Sequence, residues 1–300
     1  MSKQETYLVT GGAGFIGTNL VHTLVQNGKK VIVVDDLSAG DAERLPKEIT
    51  FHKLDIRDTS ALTELCQDVD VIVHLAAIPS VPVSIEKPQE TSAVNVDGTI
   101  SVLEAAKNTG VRRVVFAASA AYYGNHQTLP LKEDLSPCPE TPYALQKYFG
   151  EQLMKLWSEL YNIETVSLRF FNVYGPYMDP DGAYASIIGR FLRLTKTNQP
   201  LAVVGDGSQT RDFVHVSDVV TAICQAAEAK SIGKGEIFNV GTGIETSVLS
   251  IAKLFGGEIT YLPARIEVGR SCANIEKAKK ELNWEPRVEI AEGLTELIEN

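Results

Sequence analysis

Positive charge is in short supply in this chain: 28 Lys and Arg stand against 38 Asp and Glu, for a net charge of −10. Such a surface repels nucleic acid and anionic membranes, so neither is an expected partner. An anionic ligand has to be held by local cations and helix ends, because the overall field opposes it. Cysteine is also scarce. Cys66, Cys138, Cys224 and Cys272 lie far apart and form no CxxC pair, which excludes a zinc ribbon and a dithiol motif and reads as four reduced thiols of a cytoplasmic protein. No second His or Cys stands at ligand spacing from His74 or His215. No metal is therefore expected, and both histidines read as packed residues. There is no apolar run of membrane-spanning length. Met1–Glu5 lead straight into a strand-like segment, so no leader is expected either.

The most informative segment is Thr10-Gly11-Gly12-Ala13-Gly14-Phe15-Ile16-Gly17, between apolar Tyr7-Leu8-Val9 and an amphipathic stretch beginning at Asn19. It reads as strand, glycine turn, helix. Gly11, Gly14 and Gly17 let the backbone turn sharply and approach a pyrophosphate, which the helix N-terminus then attracts. Val31–Val34 is a second strand-like run and ends in Asp35, 18 residues after Gly17. A carboxylate there can take both hydroxyls of an adenosine ribose. Asp35 and Asp36 together repel a 2′-phosphate and no Arg follows them directly, Arg44 being the next. NAD is the expected cofactor.

Apolar runs alternate with helical patterns through the first half. Strands are expected at Tyr7–Thr10, Val31–Val34, Thr50–Lys53, Val71–Leu75, Val114–Ala117 and Thr165–Arg169, and helices near Asn19–Asn27, Ser60–Gln67, Ser92–Gly110 and Tyr143–Tyr161. This alternation predicts an α/β fold with a doubly wound parallel sheet. After Arg169 come the loop-forming Tyr174-Gly175-Pro176 and Asp179–Gly182, then short elements between glycine turns. The reading is a Rossmann unit of residues 1–170 plus about 211–240, and a smaller α/β substrate unit of about 171–210 plus 241–300.

Tyr143 and Lys147 lie four apart at the start of a predicted helix, on one face. A phenol with a pKa near ~10 is a poor base at neutral pH, and a nearby ammonium lowers that value. The pair suits proton transfer with a sugar or alcohol hydroxyl. Ser119 is expected just past a strand, on the sheet's carboxyl edge, where ligands bind; the alternative is a serine capping a turn.

The segments TGGAGFIG (10–17), LDIRD (54–58), HLAA (74–77), NVDGT (95–99), SAAYYG (119–124), YALQK (143–147), RFFNVYGP (169–176) and GDGSQTRDFVHVSDVV (205–220) follow in an order and spacing that resemble the extended short-chain dehydrogenase/reductases, specifically the NAD-dependent nucleotide-sugar 4-epimerases. The resemblance runs nearly the whole length. It implies Ser119, Tyr143 and Lys147 as the catalytic triad. On the cofactor side it implies Gly11, Gly14, Phe15, Ile16, Asp35, Asp36, Asp55, Ile56, Leu75, Ala76, Ala77 and Asn95, besides Tyr143 and Lys147. For a UDP-sugar it implies Ser119, Asn172, Arg211, Glu267 and Ser271. Other readings stay open: Asp55 ending a strand, Asn95 starting a helix, Arg211 pairing with Asp212. The resemblance also implies a homodimer through the stretches Ser92–Lys107 and Tyr143–Tyr161.

Departures narrow the chemistry. Related dehydratases and decarboxylases carry acidic residues directly after the catalytic Ser/Thr, where this chain has Ala120 and Ala121. Elimination lacks its acid and base, which leaves reversible oxidation at C4. Ala117-Ala118 stand where relatives often have serines. The segment from Pro263 to Ser271 is one residue short of the usual pattern, so Arg265 and Arg270 compete for one diphosphate contact. A small residue at Ser271 leaves room for a 2-acetamido group. UDP-GlcNAc/UDP-GalNAc is the expected pair, with UDP-Glc/UDP-Gal as competitor, UDP-glucuronate as a rival substrate and a non-catalytic dinucleotide-binding protein as the alternative from another class.

Overall fold

The computed structural model describes residues 4–180, 186–264 and 269–299. Its centre is a seven-stranded sheet: β1 (Thr6–Thr10), β2 (Lys30–Asp35), β3 (Thr50–Lys53), β4 (Val71–His74), β5 (Arg113–Ser119), β6 (Glu164–Phe170) and, from much later in the chain, the Lys234–Val240 strand. Their order is Lys234–Val240, β6, β5, β4, β1, β2, β3, and every neighbouring pair is parallel. The order reverses between β1 and β4, and the crevice at their carboxyl ends is where such sheets take ligands.

Both faces of the sheet are covered, as the near-continuous Val/Ile/Leu runs require. Alternation places Val9, Val33, Val73 and Val115 in one apolar cluster with Leu20 and Leu24 of helix α1 (Phe15–Gln26) and with Val219 and Ile223 of the Val216–Glu228 helix. Leu8, Val34, Ile72 and Val114 face the other way, against Val102, Leu103, Leu153 and Met154. Each such Val or Leu contributes about 1.5–3 kcal/mol when fully buried. A third cluster, including Phe191, Val203, Phe213, Ile251, Phe255 and Leu294, forms beyond the sheet's carboxyl edge.

Three differences from expectation bear on the site. β5 continues through Ala118 and Ser119 because β6 pairs with it to the end, Ser119 opposite Phe170. Ser119 is therefore the last strand residue and not the first of a loop. β4 stops at His74, one residue early. The stretch read as one helix from Ser92 is instead Pro88–Ser92, a π turn at Ala93–Asp97, and the Gly98–Thr109 helix. A π turn widens the backbone by one residue and commonly marks a functional position; this one carries Asn95.

Candidate active site

The glycine turn fits a dinucleotide. Gly11 has φ +68°, and a Cβ there would sit 2.6 Å from the Ala76 nitrogen at the end of β4. Only glycine permits both the left-handed backbone and that approach. A Cβ at Gly17 would collide with the Gly11 carbonyl oxygen and lie 2.6 Å from Gly12 Cα, so the third glycine seats α1 on the turn. At Gly14, which begins α1, a Cβ would meet only the Gly11 oxygen at 3.3 Å. No side chain caps this helix start, which leaves the first N–H groups, from Phe15 and Ile16 onward, for a phosphate. Asp35 closes the far side. It is largely buried at the end of β2, and its carboxylate accepts from Ala13 N at 3.0 Å and Leu37 N at 2.8 Å. Burial raises its pKa, the two N–H donors oppose this, and Asp36 adds to the rise.

The remaining cofactor candidates spread along the same edge. Asp36 is exposed and caps its own turn, accepting from Ser38 N and Oγ. Asp55 accepts two bonds from the Arg57 guanidinium and one from its N–H, and this pairing holds its carboxyl below the usual range. Ile56 is buried beneath Gly98, whose missing side chain makes the space. Leu75, Ala76 and Ala77 are half-buried beside the turn, and Ala76 N donates to Thr10 Oγ1 at 3.3 Å. Thr10 in turn donates to His74 Nδ1 at 2.8 Å, while His74 Nε2 lies 3.0 Å from Thr99 Oγ1. The Thr99 hydroxyl hydrogen is spent on Asn95 O at 2.7 Å, so His74 must be the donor there and is neutral with Nε2 protonated. Burial lowers its pKa to about 3 and the Lys147 charge pushes the same way. His74 thus fastens the glycine turn to the π turn.

The structure brings Ser119, Tyr143 and Lys147 together. The Pro142–Tyr161 helix places Tyr143 in its first turn because Thr141 caps it, Pro142 takes the first position, and Ser84 Oγ accepts the Tyr143 N–H at 3.1 Å. The Tyr143 and Ser119 side chains lie close enough for their hydroxyls to interact. Lys147 is buried, donates to Ala117 O at 2.8 Å and sits 4.9 Å from the Phe116 ring. Asn95 does not face the pair with free donors. Its Nδ2 gives one hydrogen to Ile78 O and the other to Gln146 Oε1, and its Oδ1 accepts from Ile78 N. It ties the loop after β4 to the catalytic helix.

Burial opposes the expected pairing of charges at Tyr143 and Lys147. Lys147 was expected to draw the Tyr143 phenol down. Burial is the larger influence on both: it raises Tyr143, with the Ser119 hydrogen bond opposing, and lowers Lys147 to about 8, with Glu151 opposing. Only a protonated Lys147 can favour the phenolate, and with a pKa of about 8 it still carries its proton at neutral pH.

Beyond the sheet edge lies a cavity of about 270 Å³ lined by Asn172, Ser186, Arg190, Gln209, Arg211 and Phe213, among others. Asn172 is two residues past Phe170, the partner of Ser119. The Phe213–His215 strand pairs in parallel with Asn172–Tyr174, which brings Arg211 to the same wall. Arg211 does not depend on Asp212. The Asp212 carboxylate is buried and accepts from Thr242 N and Oγ1, Gly243 N and Ala273 N, while Arg211 Nη1 donates to Thr210 O at 2.8 Å. Ser271 is buried just before Cys272 and Ala273, which bond to Leu131 and Asp212. Arg270 pairs with Glu245, which also accepts from Thr210. Glu267 and Arg265 lie outside the described residues. Among the described residues no group of His, Cys, Asp or Glu is arranged to hold a metal ion, and no helix is long and apolar enough to cross a membrane.

Sequence reasoning assigned no role to Ser84, Gln146, Glu151 or Arg169. Glu151 had a signal, its spacing of four from Lys147; Ser84 had none, since its contact spans 59 residues.

Comparison with known proteins agrees with this geometry. Residues 7–241 match the NAD dependent epimerase/dehydratase family. A UDP-glucose 4-epimerase of Mycolicibacterium smegmatis is 38% identical over 307 residues, covering 97% of each chain. The crystal structure of a UDP-glucose 4-epimerase from Thermotoga maritima, with UDP-glucose, superposes with a TM-score of 0.94 at 35% identity, covering 98% of this chain and 97% of that one. A UDP-N-acetylglucosamine 4-epimerase from Methanobrevibacter ruminantium, in complex with UDP-N-acetylmuramic acid, also gives 0.94, at 31% identity over 99% and 98% of the two chains. With a glycine turn shaped for a dinucleotide and a Ser–Tyr–Lys group beside it, the chain belongs to the NAD dependent epimerase/dehydratase family and is an NAD-using enzyme of its epimerase branch.

Proposed function

We propose that this enzyme catalyses reversible C4 epimerisation of UDP-hexoses through a transient 4-keto sugar, acting on UDP-GlcNAc/UDP-GalNAc and on UDP-Glc/UDP-Gal. The observation that carries the reading is the juxtaposition of the Ser119 and Tyr143 side chains at the sheet's carboxyl edge, with Tyr143 four residues before Lys147 on one helix face, and with Ala120 and Ala121 following Ser119 in the next turn. A hydroxyl proton can be taken and returned there, and no acid is supplied at those two positions for an elimination.

Phe15 and Ile16 N–H groups at the α1 start and the Gly11–Gly14 turn would hold the NAD pyrophosphate, and Asp35 the adenosine ribose. Asp36 would lie along the cofactor, Asp55 and Ile56 beside the adenine, and Leu75–Ala77 along the middle. When bound, NAD supplies the acceptor for the C4 hydride and gives the hydride back. Tyr143 takes the proton of the sugar 4-hydroxyl and later restores it. Ser119 orients that hydroxyl, and Lys147 steadies the charge on the Tyr143 oxygen. Asn172 and Arg211 would hold the diphosphate, a task suited to a guanidinium fork, so that the keto sugar can turn over while its anchor stays put. Asn95 acts by placing the helix. Glu267 is proposed for the uridine ribose on resemblance alone, and Ser271 for the space that admits an acetamido group.

The two-unit division follows: residues 1–170 plus about 211–240 for the dinucleotide, about 171–210 plus 241–300 for the sugar nucleotide. The return of Lys234–Val240 to the central sheet and the separate Phe191–Phe255 cluster support it. Four free cysteines are compatible with a cytoplasmic setting. The Pro142–Tyr161 helix leaves Leu145, Phe149, Leu156 and Leu160 exposed at 55%, 45%, 44% and 60%, on one stripe. A homodimer that pairs these helices would cover it; sedimentation should give twice the chain mass, falling to the monomer in Phe149→Glu/Leu156→Glu.

The decisive experiment incubates purified enzyme with UDP-Glc, UDP-Gal, UDP-GlcNAc, UDP-GalNAc and UDP-glucuronate and identifies the products. Interconversion of the hexose pairs is expected. Turnover of UDP-Gal without UDP-GalNAc would overturn the reading of Ser271, and inertness toward all five would overturn the function.

A further inference from the structure

Behind the catalytic pair lies a third group on the same helix face. Tyr143, Lys147 and Glu151 follow one another at intervals of four within Pro142–Tyr161. Glu151 is 1% exposed. Its carboxylate is gripped by both sides of the Arg169 guanidinium, Nε to Oε1 and Nη2 to Oε2, each at 2.8 Å. Arg169, from β6, is itself buried and over-determined. It donates to Tyr123 Oη at 2.8 Å and to Glu133 O at 3.2 Å, and its plane lies 3.5 Å from the Tyr122 ring centre. Removing two charges from water is expensive and commonly gains little stability over apolar replacements. Neither residue lines the cavity described above.

We propose that the Glu151–Arg169 pair is a positioning device for the proposed epimerase reaction, in which Glu151 keeps Lys147 protonated and Arg169 keeps Glu151 ionised. The inference rests on the reading of Tyr143 and Lys147 given above. Lys147 shares its helix face with Tyr143 and Glu151 and is approached by Glu151, by the neutral His74 from β4, and by the Phe116 ring and Ala117 carbonyl from β5. Arg169 stands behind Glu151. Of these, Glu151 alone brings negative charge at neutral pH. Burial drives the lysine toward its neutral form, and Glu151 opposes it; burial likewise drives Glu151 toward its neutral form, and Arg169 opposes that, aided by Lys147. The charge therefore passes from Arg169 to Glu151 to Lys147, and only a charged Lys147 can favour the phenolate.

The test titrates Lys147 directly, by NMR of isotope-labelled lysine with the resonance assigned through Lys147→Met, and in parallel measures the pH profile of kcat. In Glu151→Gln the Lys147 midpoint and the alkaline limb of kcat should both fall by about one pH unit or more, with KM unchanged. Glu151→Asp, which keeps the charge, should stay closer to the parent. Glu151→Gln leaves Arg169 buried and unpaired and could fail to fold, so Glu151→Leu/Arg169→Met removes both charges together; a smaller shift in the same direction is expected. An unmoved Lys147 midpoint in the foldable variants, with only the melting temperature changed, would reduce the pair to a structural role and overturn the inference. A parent enzyme inert toward every UDP-sugar would instead overturn the epimerase reading, and the NMR arm reports on Glu151 in either case.

Discussion

Tyr143→Phe should lower kcat by about 10²–10⁴-fold, the range associated with losing a positioned acid–base group, while UDP-sugar affinity changes little. The ring remains and only the hydroxyl is lost. That hydroxyl is placed to share a hydrogen bond with Ser119, and the proposed diphosphate contacts, Asn172 and Arg211, line a cavity that does not include Tyr143. Folding should be nearly intact, since one such hydrogen bond is worth about 1 kcal/mol, and the backbone N–H of residue 143 still reaches Ser84. Steady-state turnover with UDP-Gal or UDP-GalNAc, alongside calorimetric UDP-sugar binding, checks both halves. Near-parental turnover would remove Tyr143 from the chemistry.

The second large effect concerns the cofactor. Gly11→Ala should weaken NAD binding by about a hundredfold or more. The new methyl meets the Ala76 nitrogen at 2.6 Å and its Cα at 2.8 Å, both backbone atoms, on a residue at φ +68°. Neither neighbour can rotate away, so the turn itself has to move. Overpacking of this kind costs about 1–3 kcal/mol and a left-handed non-glycine residue a further ~1. If about 3 kcal/mol of that strain is relieved by displacing the phosphate-facing N–H groups, affinity falls by about two orders of magnitude. Fluorescence titration of NAD into apo-enzyme measures it. Affinity within a few-fold of the parent would mean that the glycine turn does not carry the dinucleotide.

Much of this architecture is visible in the chain itself, for identifiable reasons. Strands β1, β2 and β4 announce themselves because parallel strands buried on both faces need unbroken apolar runs. The glycine turn is legible because three glycines at intervals of three precede an amphipathic helix. The triad is legible through its spacing and through resemblance. What escapes notice is made by partners distant in sequence. Ala117-Ala118-Ser119 has little intrinsic strand preference and is drawn into β5 by β6. The Lys234–Val240 strand hides behind a bulge between Lys234 and Glu236. The π turn at Ala93–Asp97 has no simple periodic signature, yet it sets Asn95 between Ile78 and Gln146. Asp212 reads as a natural partner for its neighbour Arg211, but four donors from Thr242, Gly243 and Ala273 claim it first.

The placement of the seventh strand has a consequence for biosynthesis. β6 is complete at Phe170, but the strand that covers its outer edge begins only at Lys234. While the intervening segment is being made, the emerging chain holds a strand with one bare row of amide and carbonyl groups, a ready template for a wrong partner. The same delay means that a ribosome stalled or a chain truncated before residue 234 releases a glycine turn and a Ser–Tyr–Lys group on an unfinished platform. Until Lys234–Val240 is made, that edge of the sheet has no native partner to cover it.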